Sequence, residues 1–483
     1  MHHPGSRRRL PALFSVFDAE IGTKTAPKWG AARSPLRRSV VYDRRNAILK
    51  TNTMIVAGDQ QLLKQINRMA LVRHLCGTPG LSRAALAEAV GLTKSTVSLL
   101  VRELMDEGWI GESALVSTGA LGRRATPLHI EPGRLALLGA ELGVGAARVV
   151  ATDLLGRVLD ERAMPYPDLA DPAACVRVIA DELVALARPG GALDGRALLG
   201  LGIGVPGVVD DASGLLRYAP HLGWRDVDVA GQLRARFAGG ALAGLPLFIQ
   251  NEANVAALAE LEFSGQAGAD PLIYLSIGYG VGAGIVVNGR LLTGLYGFAG
   301  EVGHTILQQG GPACSCGRRG CADALIGMRA VMDEVDGSTG NAGKQGDGAE
   351  SADSGRLRGP ERLERLFARA GSGEPAACRA VEAAGRHMGV LLNNLWVAFD
   401  PMCIVVGGAA LRLGERFIAP ARAVLGDYAD ATQLPPPTIR TPHFGANAIA
   451  IGGAAMARHH LLRPFAGQGA GPANANPYDP YVS

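Results

Sequence analysis

From Leu137 onward the sequence runs in short apolar segments broken by glycine: 137-LLGAELGVGAARVVATDLLGRVL-159, 198-LLGLGIGVPGVV-209, 246-PLFIQ-250 and 272-LIYLSIGYGVGAGIVV-287. Runs of this length suit strands buried on both faces, and the glycines punctuate them. Helical periodicity takes over between them, notably over 172–188, 253–264 and 376–398. Strands alternating with helices predict α/β layers. No run reaches the roughly 20 residues a membrane helix needs, so a soluble, intracellular globular chain is expected. The 66 glycines show no G-X-Y period, which excludes collagen. At roughly 150 residues per domain, 483 residues allow about three folding units.

The stretch before Leu137 has a different texture. Leu62, Leu63, Ile66, Met69, Ala70, Leu71 and Leu75 recur at helical spacing, and a Gly-Thr-Pro-Gly turn at 77–80 ends the pattern. Two shorter helices are predicted over 82–90 and 94–106, then a small β-hairpin over 110–130 with Gly119, Gly122 and Pro127. The segment 83-RAALAEAVGLTKSTVSLLVREL-104 has helix-turn-helix spacing. A small residue at Ala87 lets two helices cross closely, Gly91 can take the positive φ of a tight turn, and Thr93 suits an N-cap. Val97, Leu100, Val101 and Leu104 form the apolar side of the third helix. Its other side carries Lys94, Ser95, Thr96, Ser98 and Arg102, donors suited to phosphates and base edges, with Ser82 and Thr93 at the helix starts. The hairpin suits a wing, with Arg123 and Arg124 as backbone or minor-groove contacts. An ordinary three-helix bundle with a glycine turn is the plain alternative.

Charge is uneven. The first 53 residues hold 11 Lys or Arg against 3 Asp or Glu, although the whole chain is only +4. Residues 1–57 are therefore read as a basic, disordered arm. Three readings stay open for it: a nucleic-acid-contacting tail, a tail without function, or a true start at Met54. Residues 336–359 lack an apolar face and read as a flexible insertion, and 466–483 as a disordered tail. Between these lie a winged helix-turn-helix domain over 58–132 and a larger domain over 133–465.

Three of the seven cysteines, Cys314, Cys316 and Cys321, fall within eight residues, with His304 just upstream as H-x9-C-x-C-x4-C. Three thiolates and an imidazole make a closed tetrahedral set, which predicts structural Zn²⁺. Buried free thiols are the plain alternative. Cys76, Cys175, Cys378 and Cys403 stand apart and read as packing residues.

Three glycine-rich turns, 139–146, 277–284 and 404–410, are weak candidates for holding phosphates. A stronger signal is Asn251 and Glu252 at a strand end, with Glu301 and His304 in 297-GFAGEVGH-304. An amide, two carboxylates and an imidazole suit vicinal sugar hydroxyls, although each alone is equally an ordinary cap or surface residue.

Together these motifs resemble the ROK family, which groups bacterial sugar-responsive repressors with sugar kinases. The resemblance covers about residues 58–465, and its most specific part is GH-x9-CxCGxxGC, here Gly303-His304 through Cys321. It implies two α/β lobes of the actin/hexokinase, ribonuclease H-like type with a sugar cleft between them. The fused helix-turn-helix places the chain with the repressors, such as those for xylose or N-acetylglucosamine. It implies sugar contacts at Asn251, Glu252, Glu301, His304 and Asp323, and partners in operator DNA, a sugar or sugar-phosphate effector and a second copy or more of the chain.

The departures from the family's kinases count against catalysis. Their E-N-D-A-N motif, whose Asp acts as base, reads Gln250-Asn251-Glu252-Ala253-Asn254 here. A carboxylate displaced by about 1 Å can lose roughly 100-fold in rate. Their D-x-G-G-T-K loop reads Glu141 to Ala146, without the Thr hydroxyl and Lys charge. Tyr279 stands for a usual Thr, and Ala322-Asp323 for x-Glu. Phosphoryl transfer is mostly positioning and charge stabilisation. A repressor with Glu252 as a vestigial base is therefore expected. An ATP-dependent sugar kinase fused to a DNA-binding domain, and a scaffold with a vestigial cleft, are the alternatives.

Overall fold

The computed structural model describes residues 60–113, 126–265, 270–295, 297–337 and 359–463. The basic arm, the tip of the hairpin with Arg123 and Arg124, nearly all of the 336–359 insertion and the 466–483 tail lie outside these residues.

Three helices open the described chain: α1 (Gln60–Gly77), α2 (Arg83–Val90) and α3 (Lys94–Asp106). Ser82 caps α2 by accepting the Ala85 N–H, and Thr93 caps α3 by accepting the Thr96 N–H, each at 3.2 Å. Gly91 ends α2 at φ +69°, and its N–H closes on the Ala87 and Glu88 carbonyls. Those caps set α2 and α3 at 113° to each other, within the range of a helix-turn-helix. Strand β1 (Ile110–Glu112) pairs antiparallel with β2 (Leu128–Ile130), Gly111 opposite His129. Leu71, Leu75, Leu86 and Leu104 are fully buried between these elements, each contributing about 1.5–3 kcal/mol.

The rest forms two lobes. The first contains β3 (Leu135–Leu142), β4 (Ala147–Thr152), β5 (Val158–Met164), α4 (Pro172–Leu186) and β6 (Ala197–Val205). A three-stranded flap of β7 (Val208–Asp210), β8 (Leu215–Ala219) and β9 (Trp224–Asp228) follows, then α5 (Val229–Phe237), β10 (Leu247–Asn251) and α6 (Glu252–Phe263). The second lobe contains β11 (Leu272–Ile277), β12 (Val281–Val287), β13 (Arg290–Leu291), α7 (Asp323–Ile326), α8 (Met328–Val335), α9 (Gly359–Gly371) and α10 (Pro375–Phe399). It continues with β14 (Cys403–Gly407), α11 (Glu415–Thr432) and β15 (Thr438–Arg440), and the chain returns to the first lobe through α12 (Ala448–Leu462).

The two sheets have one plan. Their orders are β10-β6-β3-β4-β5 and β13-β12-β11-β14-β15. In each, three antiparallel strands are followed by two that add parallel to the first. The two α/β lobes are those expected from the resemblance, and the shared sheet plan adds that they are a duplicated pair.

Helix α12 packs on the first sheet with almost no side chain between. A Cβ on Gly139 would overlap the Ala450 carbonyl, and one on Gly202 the Gly453 carbonyl. The far end of α12 belongs to the core of the N-terminal domain: Ala454, Ala457 and Leu462 pack with Leu75, Leu104 and Leu135.

Candidate functional site

On the DNA-binding side, α3 presents Lys94, Ser95 and Arg102 to solvent, with Thr96 and Ser98 half-buried. Lys94 and Arg102 form no ion pair among the described residues. Other cations are spent inside the domain: Lys64 pairs with Glu103 and Arg83 with Glu112, both at 2.8 Å, and Arg68 with Glu107. The Ser98 hydroxyl donates to the Lys94 carbonyl at 2.7 Å, and the Ser82 and Thr93 oxygens are engaged as caps. Leu99 was missed by pattern reading. It is 54% exposed on the face of Ser95 and Arg102, out of phase with the Val97-Leu100-Leu104 stripe. That phase error was the available signal, and a bare leucine there suits a thymine methyl.

On the cleft side, β10 delivers Asn251 as the N-cap of α6. Its amide oxygen accepts the Ala253 N–H at 2.8 Å and its nitrogen donates to the Gly207 carbonyl at 3.0 Å. Gln250 braces it, accepting the Asn251 N–H at 2.6 Å and donating to Asp211 at 2.6 Å. Asn254, also missed, donates to Gln250 at 3.2 Å and leaves a buried Oδ1 that has no hydrogen-bond partner among the described residues, close to Gly300.

Glu252 begins α6. Burial pushes its carboxyl up to about 7, helped by Glu141 and Glu301 nearby. Burial and then Asp323 raise Glu301 in turn. His304 is lowered by burial, against the attraction of Asp323. Glu252, Glu301, His304 and Asp323 are thus one electrostatic group, held by glycine contacts. A Cβ on Gly300 would overlap the Ala283 carbonyl and one on Gly303 the Val281 carbonyl, so the 300–304 loop lies flat on β12. Asp323 accepts the Val281 N–H at 2.8 Å.

Two further residues come from afar. His221, between β8 and β9, meets Asp323 over Gly280: a Cβ there would fall 2.5 Å from His221 Nε2 and 2.7 Å from Asp323 Oδ1. Burial lowers the His221 imidazole. Glu141 is buried and pairs with Arg148 at 3.3 Å across the first glycine-rich turn. Burial raises its carboxyl, against the attraction of Arg148.

The metal-ligand candidates do come together. The ligand atoms of His304, Cys314, Cys316 and Cys321 all lie within 4.8 Å of one another. Cys314 Sγ is 3.7 Å from His304 Nδ1, and Cys316 Sγ 3.7 Å from Cys321 Sγ. The loop that gathers them folds on itself through bridges between Ile306 and Cys321 and between Ala313 and Arg319. Gly320, at φ +75°, leaves no room for a Cβ against the Gln308 carbonyl. This is a candidate metal centre of three thiols and an imidazole. By contrast, Cys76, Cys175, Cys378 and Cys403 sit apart as free thiols, Cys76 half-buried and the rest buried. Cys76 and Cys175 pack in apolar clusters, whereas Cys378 donates to the Ala370 carbonyl at 3.8 Å and Cys403 hydrogen-bonds with Arg440.

A helix-turn-helix domain sharing its core with a two-lobed, kinase-like α/β fold defines a DNA-binding member of the sugar-kinase architecture. The chain belongs to the ROK family, whose model matches residues 137–460, while a winged helix-turn-helix DNA-binding model matches residues 65–110. It is 31% identical over 410 residues to the xylose repressor of Caldicellulosiruptor bescii, covering 84% of this chain and 98% of that one. To the DNA-binding transcriptional dual regulator NagC of Escherichia coli it is 29% identical, covering 73% and 82%. A crystal structure of a ROK family transcriptional regulator, a homolog of the E. coli MLC protein, shares the fold at TM-score 0.65 and 24% identity over 84% of this chain and 98% of that one. The ROK family glucokinase of Streptomyces griseus, solved with glucose and AMPPNP, matches at TM-score 0.53 and 27% identity over 67% and 99%.

Proposed function

We propose that this chain is a sugar-responsive, DNA-binding transcription regulator, a repressor of carbohydrate-use genes in the bacterial cytoplasm that a sugar in the cleft releases from its operator. The observation that carries the reading is the shared core: α12 lies on the sheet of the first lobe and ends among the side chains of α1 and α3. A ligand acting on the lobes is thereby connected to the helix that reads DNA. Lys94, Ser95, Thr96, Ser98 and Arg102 would contact the operator, with Arg123 and Arg124 on the wing. Asn251, Glu252, Glu301, His304 and Asp323 would contact the sugar, joined by His221. Dimeric binding to a palindromic operator accompanies this reading.

Zinc fits the donor set. With bonds of about 2.3 Å to sulfur and about 2.0–2.1 Å to nitrogen, a tetrahedral ion needs edges of about 3.8 Å between sulfurs and about 3.6 Å from sulfur to nitrogen. The 3.7 Å separations of both pairs match. With Nδ1 turned to the metal, Nε2 of His304 would be left for the sugar, so the ion would orient a sugar contact. Four protein ligands leave no open position, which makes its role structural.

One observation favours a kinase: a carboxyl held near 7 at Glu252 suits a general base. Against it stand the lost Lys and Thr of the first turn, where Arg148 is already paired with Glu141. A thermal-shift panel of pentoses, hexoses and amino sugars on zinc-loaded protein, with and without MgATP, separates the two. A sugar at 100 times its Kd adds about 2.7 kcal/mol. Stabilisation by one sugar alone supports the regulator, and stabilisation that needs ATP, with turnover, supports the kinase.

A further inference from the structure

Helix α6 has one end in the sugar cleft and the other beneath the DNA-binding domain. Its last turn carries Glu262, whose side chain is only 2% exposed. Arg458 Nε lies 3.1 Å and His459 Nδ1 2.8 Å from this carboxylate, and Arg463 pairs with it as well. Arg458 also donates to the Leu154 carbonyl at 3.0 Å and lies over the Phe263 ring at 4.8 Å. Phe263 packs against the apolar cluster that Leu75 of α1 and Leu462 of α12 share. On the other side, Arg73 and Cys76 of α1 are near enough for the Glu262 charge to act on them.

Between its ends α6 touches its neighbours backbone to backbone. A Cβ on Gly452 of α12 would overlap the Val255 carbonyl of α6, and one on Gly284 of β12 the Ala253 carbonyl. Close-packed contacts without intervening side chains move as a unit, because interiors have little free volume to absorb a shift.

We propose that Glu262 is the positioning residue that couples the sugar cleft to the DNA-binding domain, by clamping the far end of α6 to the last turn of α12 beneath α1. The proposal rests on the reading of the chain as a sugar-responsive regulator. A sugar held at Asn251 and Glu252 displaces the near end of α6, and the clamp carries that displacement to Arg458 and Arg463 and so to α1. Burial alone would push the Glu262 carboxyl up, but the His459 hydrogen bond and the charges of Arg458 and Arg463 outweigh it and hold it at about 2. The Glu262 carboxylate therefore stays charged near neutral pH and gives the two arginines a standing partner.

The test uses the zinc-loaded 483-residue chain, with E262Q and R463Q as variants. The DNA is a fluorescent duplex selected from a random-sequence pool by the wild-type protein, and the sugars are D-xylose, D-glucose and N-acetyl-D-glucosamine. DNA affinity is measured with and without sugar, and sugar affinity by calorimetry. In wild type an effective sugar should change DNA affinity by about 5–150-fold. E262Q should bind that sugar within about twofold of wild type while its change in DNA affinity falls below about twofold. A merely structural role would lower Tm and leave the ratio intact. A folded E262Q that keeps the wild-type ratio, or that loses sugar binding itself, overturns the clamp. If E262Q does not fold, R463Q, which removes one arm at the edge of the cluster, decides by the same ratio. If no sugar moves wild-type DNA affinity, the regulator reading fails and the clamp with it, an outcome visible in the wild-type arm alone.

Discussion

Arg148 Nη1 lies 3.3 Å from Glu141 Oε2, the two facing each other across the β3–β4 hairpin. They close the first glycine-rich turn, residues 139–146. A second bond from Arg148 to the Ala446 carbonyl, at 3.4 Å, holds the guanidinium there. An incoming triphosphate would have to separate this pair and face the Glu141 carboxylate. A coupled assay with MgATP and the sugar panel should give turnover at background. Sugar-dependent turnover above it would overturn the regulator reading.

Glu252 sets a pH dependence whose sign can be worked out. Its carboxyl rises from 4.5 to about 7 on folding, so the folded chain holds a proton that the unfolded chain has lost across that window. Stability from this group therefore falls as pH rises from about 4.5 to 7, by at most about 3 kcal/mol. Glu252→Gln should stabilise the protein at about pH 8, and the gap to wild type should close near pH 5. Thermal melts of both proteins across that range check it. A constant gap would mean that the carboxyl is ordinary.

Gly317 and Gly320 offer a contrast within the metal loop. Both have positive φ, +84° and +75°, but a Cβ has open space at Gly317 and meets the Gln308 carbonyl at Gly320. Gly317→Ala should cost about 1–2 kcal/mol and keep the metal. Gly320→Ala has to move the backbone that presents Cys321, and should lose metal as well as stability. Metal release to a chromogenic chelator, with melting curves, distinguishes them. Equal metal retention would show that the loop tolerates the shift.

Arg102 and Thr93 should fail differently. Arg102→Ala removes a cation that has no ion pair among the described residues, so DNA binding should weaken alike across sequences and the salt slope drop by about 1. Thr93→Ala removes the α3 cap and should cost about 0.5–2 kcal/mol of stability. Binding titrations at several salt concentrations, beside melts, report both. An unchanged salt slope for Arg102→Ala would move that arginine away from the phosphates.

What was legible in advance follows the range of the physics involved. Gly91 and Thr93 could be placed by eye because a positive-φ turn or a cap involves residues within three or four positions. The cluster of three thiols and an imidazole was legible for the same reason, its four residues spanning a single loop. Leu99 needed only the phase of the helix. The glycine-broken runs likewise announced buried strands alternating with helices.

The amino-acid sequence by itself therefore determined the local units: the helix-turn-helix, the thiol and imidazole loop, and the strand and helix segments of the lobes. Tertiary structure alone decided what those units do to each other. His221 reaches Asp323, Asn251 donates to the Gly207 carbonyl 44 residues away, and Glu262 finds His459 from 197 residues away. No spacing rule reaches that far, because such pairs form only when strand pairing has closed the chain between them. The repeated sheet plan was equally hidden, since strand order depends on buried backbone pairing that many apolar sequences satisfy. The glycines of α12 look like poor helix formers in isolation. Their reason exists only in the packed molecule, where bare backbones must meet.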